Sequence, residues 1–116
     1  MEATTIYYNP GCSKCRNAQG ILDERGVDAV VIRYLDQPPT VPDLRRLMAM
    51  LGLDDPRAMI RRGERAYAEL DLDRADDERL LEAISANPIL LERPIVVVGE
   101  RAVIARPPER VLELLE

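Results

Sequence analysis

Apolar positions change their period several times along this chain, and each change marks an element. Ile6 and Tyr8 fall on one side and Tyr7 on the other, so a strand is expected from Met1 to Tyr8. Ala18, Ile21 and Leu22 then share one helical stripe between about Ser13 and Arg25, and Gly26 suits the position just past the helix end. Ala29 to Tyr34 is a β-branched run and predicts a second strand. Strand, helix and strand in close succession predict a right-handed βαβ unit with parallel strands.

The period becomes helical throughout the middle of the chain. Pro38-Pro39 interrupts it, Thr40 with Asp43 forms a helix-start signal, and Pro42 is tolerated in a first turn. Val41, Leu44, Leu47, Met48 and Leu51 recur at helical spacing until Gly52. Asp55-Pro56 opens a further helix carrying Arg57, Arg61 and Arg62 to Gly63. Glu64 to Leu70 has room for one or two more turns. Asp76 or Asp77 to Ala86 predicts another helix, with Leu80, Leu81 and Ile84 inward, and Asn87-Pro88 closes the series. The expectation is a helical insert over about residues 40–87.

The strand pattern then returns. Ile95-Val96-Val97-Val98 is apolar without alternation, as in a strand covered on both faces. Gly99-Glu100 is a two-residue hairpin signal, so Arg101 to Ala105 should pair back antiparallel. Arg106-Pro107-Pro108 opens a last helix with Val111, Leu112 and Leu115 inward. The fold class expected is α/β: a four-stranded mixed sheet in the order β-α-β, helical insert, β-β-α, with helices on both faces.

Composition narrows the class. At 116 residues the chain is expected to be one domain spanning 1–116. Apolar residues make up 47%, with no Phe and no Trp, so aliphatic side chains, Met and Tyr must build the core. A net charge of −5 argues against nucleic-acid binding. No apolar run is long enough to span a membrane, and no signal-peptide pattern opens the chain. A monomer in a reducing cytoplasm is the expected setting for two cysteines at redox spacing. Two Cys and no His fall short of the four ligands of a structural zinc site, so no metal is expected.

Candidate chemistry concentrates in Asn9-Pro10-Gly11-Cys12-Ser13-Lys14-Cys15-Arg16, where the first strand hands over to the first helix. Unpaired N–H groups and the positive end of the dipole meet a side chain at that point. A free cysteine has a pKa of roughly 8.5, and such sites lower it to about 3.5–7.5. Lys14 and Arg16 add positive charge in the sequence around Cys12. Cys15 lies one helical turn on; its spacing permits a disulfide with Cys12, while its stripe with Ala18 and Leu22 equally suits a small buried hydrophobe. The chemistry suggested is thiolate attack followed by thiol–disulfide exchange.

Several separated motifs resemble the glutaredoxin-coupled arsenate reductase (ArsC) family, which has a thioredoxin-like fold. They are Tyr7-x-Asn9-Pro10-x-Cys12 with Arg16-Asn17, Tyr34-Leu35, Pro38-Pro39, and Arg57-Ala58-x-x-Arg61. Further on come Asn87-Pro88-Ile89-Leu90, Arg93-Pro94-Ile95-Val96-Val97, and Arg106-Pro107. The resemblance implies that Cys12 attacks arsenate, that glutathione displaces at the adduct, and that glutaredoxin reduces the mixed disulfide, with no bound cofactor. It implies that Arg61, Arg93 and Arg106 hold the oxyanion. Guanidinium forks suit that task because they stay charged and bind tetrahedral oxyanions bidentately. It also implies a cis peptide bond before Pro94.

Two positions depart from the family pattern. Members often carry His where this chain has Tyr8, so thiolate activation must rest on the helix terminus and on cations. The reductases commonly carry Ser or another non-thiol at the position of Cys15. A C-x-x-C pair occurs instead in related Spx-type regulators, which bind RNA polymerase and sense oxidation, and in dithiol oxidoreductases. Three expectations therefore stand: an arsenate reductase with its adduct resolved by glutathione and glutaredoxin or by Cys15, or a close relative acting on another substrate through Cys12; a redox-sensing regulator; and a general thiol–disulfide oxidoreductase or an inactive paralogue.

Overall fold

The structure is a computed structural model that describes residues 3–115. Two compact units make up the chain: Met1–Tyr34 with Arg93–Glu116, and Leu35–Glu92.

The first unit holds the sheet. Its elements are β1 (Thr4–Tyr8), α1 (Ser13–Glu24), β2 (Ala29–Arg33), β3 (Ile95–Val98) and β4 (Arg101–Ile104). A 3₁₀ turn, Pro108–Val111, then leads into a short helix, Leu112–Leu115, here α5. The expected start of β1 at Met1 and Glu2 lies outside the described residues. The strand order is β2-β1-β3-β4, with β1 parallel to β2, and β3 antiparallel to both β1 and β4. Gly99 turns the β3–β4 hairpin with φ 60°, the positive value that the first position of a Gly-X turn needs.

Alternation decides which face of this sheet is covered by its own helices. Ile6, Val96, Val98 and Val103 form one apolar face, onto which Ala18 and Leu22 of α1 and Val111 and Leu114 of the C-terminal turn and helix pack. Ile6 and Leu22 have no exposed surface; burial of such a side chain contributes about 1.5–3 kcal/mol. The C-terminal stripe differs from the sequence expectation. Leu114 is buried and Leu112 only half-buried. The reason is the opening 3₁₀ turn, which stacks Val111 over the buried Pro108 at three residues per turn, and Leu114, three residues on in α5, continues that face. Arg101 holds the far end of α5 by donating to the Leu114 carbonyl at 3.0 Å, satisfying an acceptor that the helix leaves open.

The second unit is built from α2 (Val41–Leu51), α3 (Arg65–Glu69) and α4 (Asp77–Ala86), with 3₁₀ turns at Pro56–Met59, Leu72–Arg74 and Pro88–Leu90. Thr40 and Asp43 form the expected capping box, and Gly52 ends α2 with φ 71°. Leu44, Leu47, Leu80, Leu81 and Ile84 are buried.

The helix expected to run from Pro56 through Arg61 to Gly63 stops at Met59. Ile60 instead pairs antiparallel with Leu91. Arg61 N–H donates to the Leu90 carbonyl at 2.7 Å, and Glu92 N–H to the Met59 carbonyl at 2.8 Å. Those long-range bonds replace the helical ones, so the insert is not purely helical. Arg57 is the polar anchor here: its Nη2 donates to the carbonyls of Leu72, Asp73 and Ala75 at 2.8, 3.1 and 2.8 Å.

Candidate active site

Strand register brings the sequence-distant candidates to one end of the sheet. Tyr8 pairs with Arg33, so the next residues, Asn9 and Tyr34, lie just beyond the same end of the parallel pair. Tyr7 pairs with Ile95, so β3 begins at that end and Pro94 and Arg93 precede it there. Ile95 also pairs with Ile104, and Ala105 N–H donates to the Pro94 carbonyl at 2.8 Å, so Arg106 leaves β4 at the same end. The Arg93–Pro94 and Arg106–Pro107 peptide bonds are both cis. The cis bond at Pro107 was not expected from sequence.

The loop between β1 and α1 is held by its own backbone. Cys12 N–H donates to the Asn9 carbonyl at 3.0 Å. Gly11 N–H donates to Asn9 Oδ1 at 2.9 Å. These bonds set Cys12 as the N-cap of α1, in extended backbone (φ −105°, ψ 119°) with no side-chain cap bond. The Cys12 carbonyl then accepts from Arg16 N–H at 3.2 Å, the first bond of the helix. Cys12 is 6% exposed and Cys15 0%, and both are free thiols.

The two thiols are driven in opposite directions. Burial works against the Cys12 thiolate, yet its pKa lies below the ordinary 9.0. The nearby Cys15 N–H and thiol, the charge of Arg93, and the Lys14 N–H together favour the thiolate enough to outweigh the desolvation. Cys15 is pushed up to about 12, first by burial, then by its hydrogen bond to Cys12 and the charge there; a hydrogen bond from Asn9 and the charge of Arg93 only partly offset this. Of the two, Cys12 is therefore the thiol that ionises first, while Cys15 stays protonated far into the alkaline range.

A source of charge differs from the sequence expectation. Lys14 acts on Cys12 through its backbone, and the Arg16 guanidinium turns away to donate to the Pro10 carbonyl at 2.7 Å. The cation that acts on Cys12 comes from Arg93, about eighty positions along the chain. Nε and Nη1 of Arg93 and Nε of Arg106 are buried N–H donors without a hydrogen-bond acceptor, although both residues have other partners.

Comparison with known proteins agrees with this geometry. The model of the ArsC family matches residues 7–114. The chain belongs to the ArsC family. The arsenate reductase of Neisseria meningitidis serogroup A is 43% identical over 117 residues, covering 99% of this chain and 100% of the relative. That of Haemophilus influenzae is 42% identical over 112 residues, covering 95% and 97%. Among solved structures, an arsenate reductase from Vibrio cholerae matches with a TM-score of 0.94 at 43% identity, over 97% of this chain and 98% of that one. The fold is therefore the thioredoxin-like α/β fold of the ArsC proteins.

Within this ArsC-family protein the candidate residues divide between the units. Cys12, Cys15, Arg93, Pro94 and Arg106 belong to the sheet unit and gather at one end of it. Arg61 belongs to the second unit, where its Nη1 donates to Glu64 at 2.5 Å. Sequence reasoning placed Tyr34 in a family motif but gave it no role. It is the largest fully buried side chain, its hydroxyl meets no group at hydrogen-bond geometry, and its ionisation responds to Arg93, Cys15 and Cys12. The available signal was positional: Tyr34 follows the last residue of a strand parallel to the one that delivers Cys12. Among the described residues there is no group of three or more His, Cys, Asp or Glu that could hold a metal ion, and no helix long and apolar enough to cross a membrane.

Proposed function

We propose that this protein is an arsenate reductase in which Cys12 is the nucleophile. The observation that carries the proposal is a Cys12 whose pKa is held down by the groups around it, the charge of Arg93 among them, at a sheet end where Arg106 also stands, in a chain that resembles arsenate reductases. The Cys12 sulfur attacks arsenic(V) of dihydrogen arsenate. An S–As bond forms, an As–O bond breaks, and the departing oxygen takes up one further proton and leaves as water. Arg93 and Arg106 hold the remaining oxygens by charge-assisted hydrogen bonds.

A second thiol then attacks the Cys12 sulfur. The S–As bond breaks, its electron pair passes to arsenic, and arsenous acid leaves after protonation. Cys15 is the nearest such thiol. Once Cys12 is bonded to arsenic, the thiolate charge and acceptor that helped raise the Cys15 pKa are gone, while Arg93 still lowers it. That favours a Cys12–Cys15 disulfide as the first product, with an external thiol restoring the pair. Glutathione with glutaredoxin is the reductant proposed, acting on the disulfide or directly on the adduct, in a reducing cytoplasm. The family match runs through both units, which supports treating them as one ArsC-type domain with a helical insert over about residues 40–87.

The test is arsenate-dependent NADPH oxidation coupled through glutathione reductase, glutathione and glutaredoxin. Turnover is expected with the wild-type protein and none with Cys12→Ser. Cys15→Ser decides between resolvers: retained turnover assigns the step to glutathione, and loss of turnover with trapped Cys12–glutathione or arsenic adduct assigns it to Cys15. Disulfide reduction without any arsenate turnover would identify a general dithiol oxidoreductase instead.

A further inference from the structure

Tyr34 is buried at the active end of the sheet without any role in the chemistry described so far. Its side chain is 0% exposed and its hydroxyl has no hydrogen-bond partner. A buried hydroxyl in that state is destabilising, and native structures retain few of them. A phenylalanine would fill the same core without the cost. Its position is set by the β1–β2 register: Tyr34 lies one residue past the Tyr8–Arg33 pair, level with Asn9, whose carbonyl and side chain shape the Cys12 loop.

We propose that the Tyr34 hydroxyl donates a hydrogen bond to a tetrahedral oxyanion bound at Cys12, which makes Tyr34 a substrate-binding residue. This rests on the oxyanion chemistry proposed for Cys12 and extends it to a donor outside the arginine set. A thiolate and an anionic substrate repel each other, so their approach needs donors in addition to Arg93. A phenol supplies one without placing a second positive charge against Arg93. It must stay protonated to do so, and burial holds its pKa up at about 12 despite the opposing charge of Arg93. Arg93, Cys15 and Cys12, which act on the same ionisation, all stand at the end of the sheet where the strand register puts Tyr34. The Asn9 amide acts on the phenol oxygen in the direction of a donor, lowering its pKa, so it leaves the O–H proton for an acceptor elsewhere.

The test uses Tyr34→Phe, which deletes the hydroxyl and keeps the ring. Protection of Cys12 from iodoacetamide by sulfate and by arsenate gives the anion affinity without requiring turnover. Loss of a hydrogen bond to a charged acceptor predicts affinity weaker by about tenfold to a hundredfold. The melting temperature should be unchanged or higher, because an unsatisfied buried group has been removed. The pH dependence of alkylation without anion should stay where it is in wild type. Unchanged anion affinity in Tyr34→Phe overturns the proposal. So does an upward shift of the Cys12 alkylation pKa with anion affinity intact, since the hydroxyl would then serve the thiolate. Failure of either anion to protect the wild-type protein overturns it as well. If protection is seen and Tyr34→Phe weakens it, but arsenate is not turned over, the Tyr34 assignment stands and arsenate reduction is what fails.

Discussion

Cys15 helps hold the Cys12 pKa below its ordinary value, and Cys12 in turn adds to the burial that pushes the Cys15 thiol up to about 12. Alkylation against pH should therefore resolve two thiols. Cys12 should reach half its limiting rate below pH 9, and Cys15 should stay unlabelled in the folded protein until the solution is strongly alkaline. Cys15→Ala deletes the Cys15 thiol and should move the Cys12 profile upward. Mass-resolved labelling checks both, and a Cys12 profile unmoved by Cys15→Ala would place thiolate stabilisation elsewhere.

Arg93 acts on Cys12, Cys15 and Tyr34 in the same direction, lowering each pKa. Arg93→Ala should raise the Cys12 pKa and also remove an oxyanion donor. A charge-assisted hydrogen bond is worth about 1.5–3 kcal/mol, so kcat/KM for arsenate should fall about tenfold to a hundredfold. Arg93→Lys should restore the charge effect on Cys12 alkylation more fully than it restores turnover, because an ammonium cannot make a planar fork. Arg106→Ala should lower turnover and leave the Cys12 profile nearly in place. Equal effects of the two substitutions on that profile would contradict the separate roles.

Stability should fall on the alkaline side. Cys15 and Tyr34 both have folded pKa values of about 12, above the ordinary 9.0 and 10.0. Between those limits the unfolded chain releases protons that the folded chain keeps, so the stabilisation present below about pH 9 is lost as pH rises toward 12. Each group contributes a slope of at most about 1.4 kcal/mol per pH unit. Cys12 has the opposite sign: its pKa is lowered on folding, so its contribution is present above pH 9 and is lost as pH falls through the folded value. Urea unfolding from pH 8 to 11 measures the balance, and Tyr34→Phe should flatten the decline above pH 10.

Arg57 should prove structural although it sits in a motif shared with the family. Its guanidinium caps the carbonyls of Leu72, Asp73 and Ala75. Arg57→Ala should destabilise the protein by about 1.5–3 kcal/mol, the range for hydrogen bonds to a charged group, and leave Cys12 alkylation unchanged. Thr40→Ala, which breaks the α2 capping box, should cost about 1 kcal/mol. Chemical denaturation measures both. A larger effect of Arg57→Ala on Cys12 reactivity than on stability would reverse the assignment.

What the chain declared on its own was local. The Thr40–Asp43 box, the positive φ at Gly52 and Gly99, and the strand-to-helix junction that caps α1 with Cys12 each depend on groups within a few residues. Hydrophobic period was enough for the strands and for the buried stripe Cys15, Ala18, Leu22 of α1. Tertiary structure decided whatever needed a partner far along the chain. Ile60 left its helix because Leu91 offered a strand partner. Leu114 took the buried place expected of Leu112 because a 3₁₀ turn set the phase of the last helix. Lys14 and Arg16 were the obvious cations beside Cys12 by spacing, but Arg16 found a nearer acceptor in the Pro10 carbonyl. The charge on the thiolate comes from Arg93 because antiparallel pairing of β3 with β1 returns the start of β3 to the Cys12 end. Tyr34 reads as an ordinary strand-end tyrosine until parallel register sets it level with Asn9. Side-chain chemistry at this site is a property of strand register, and register depends on which strands meet in space.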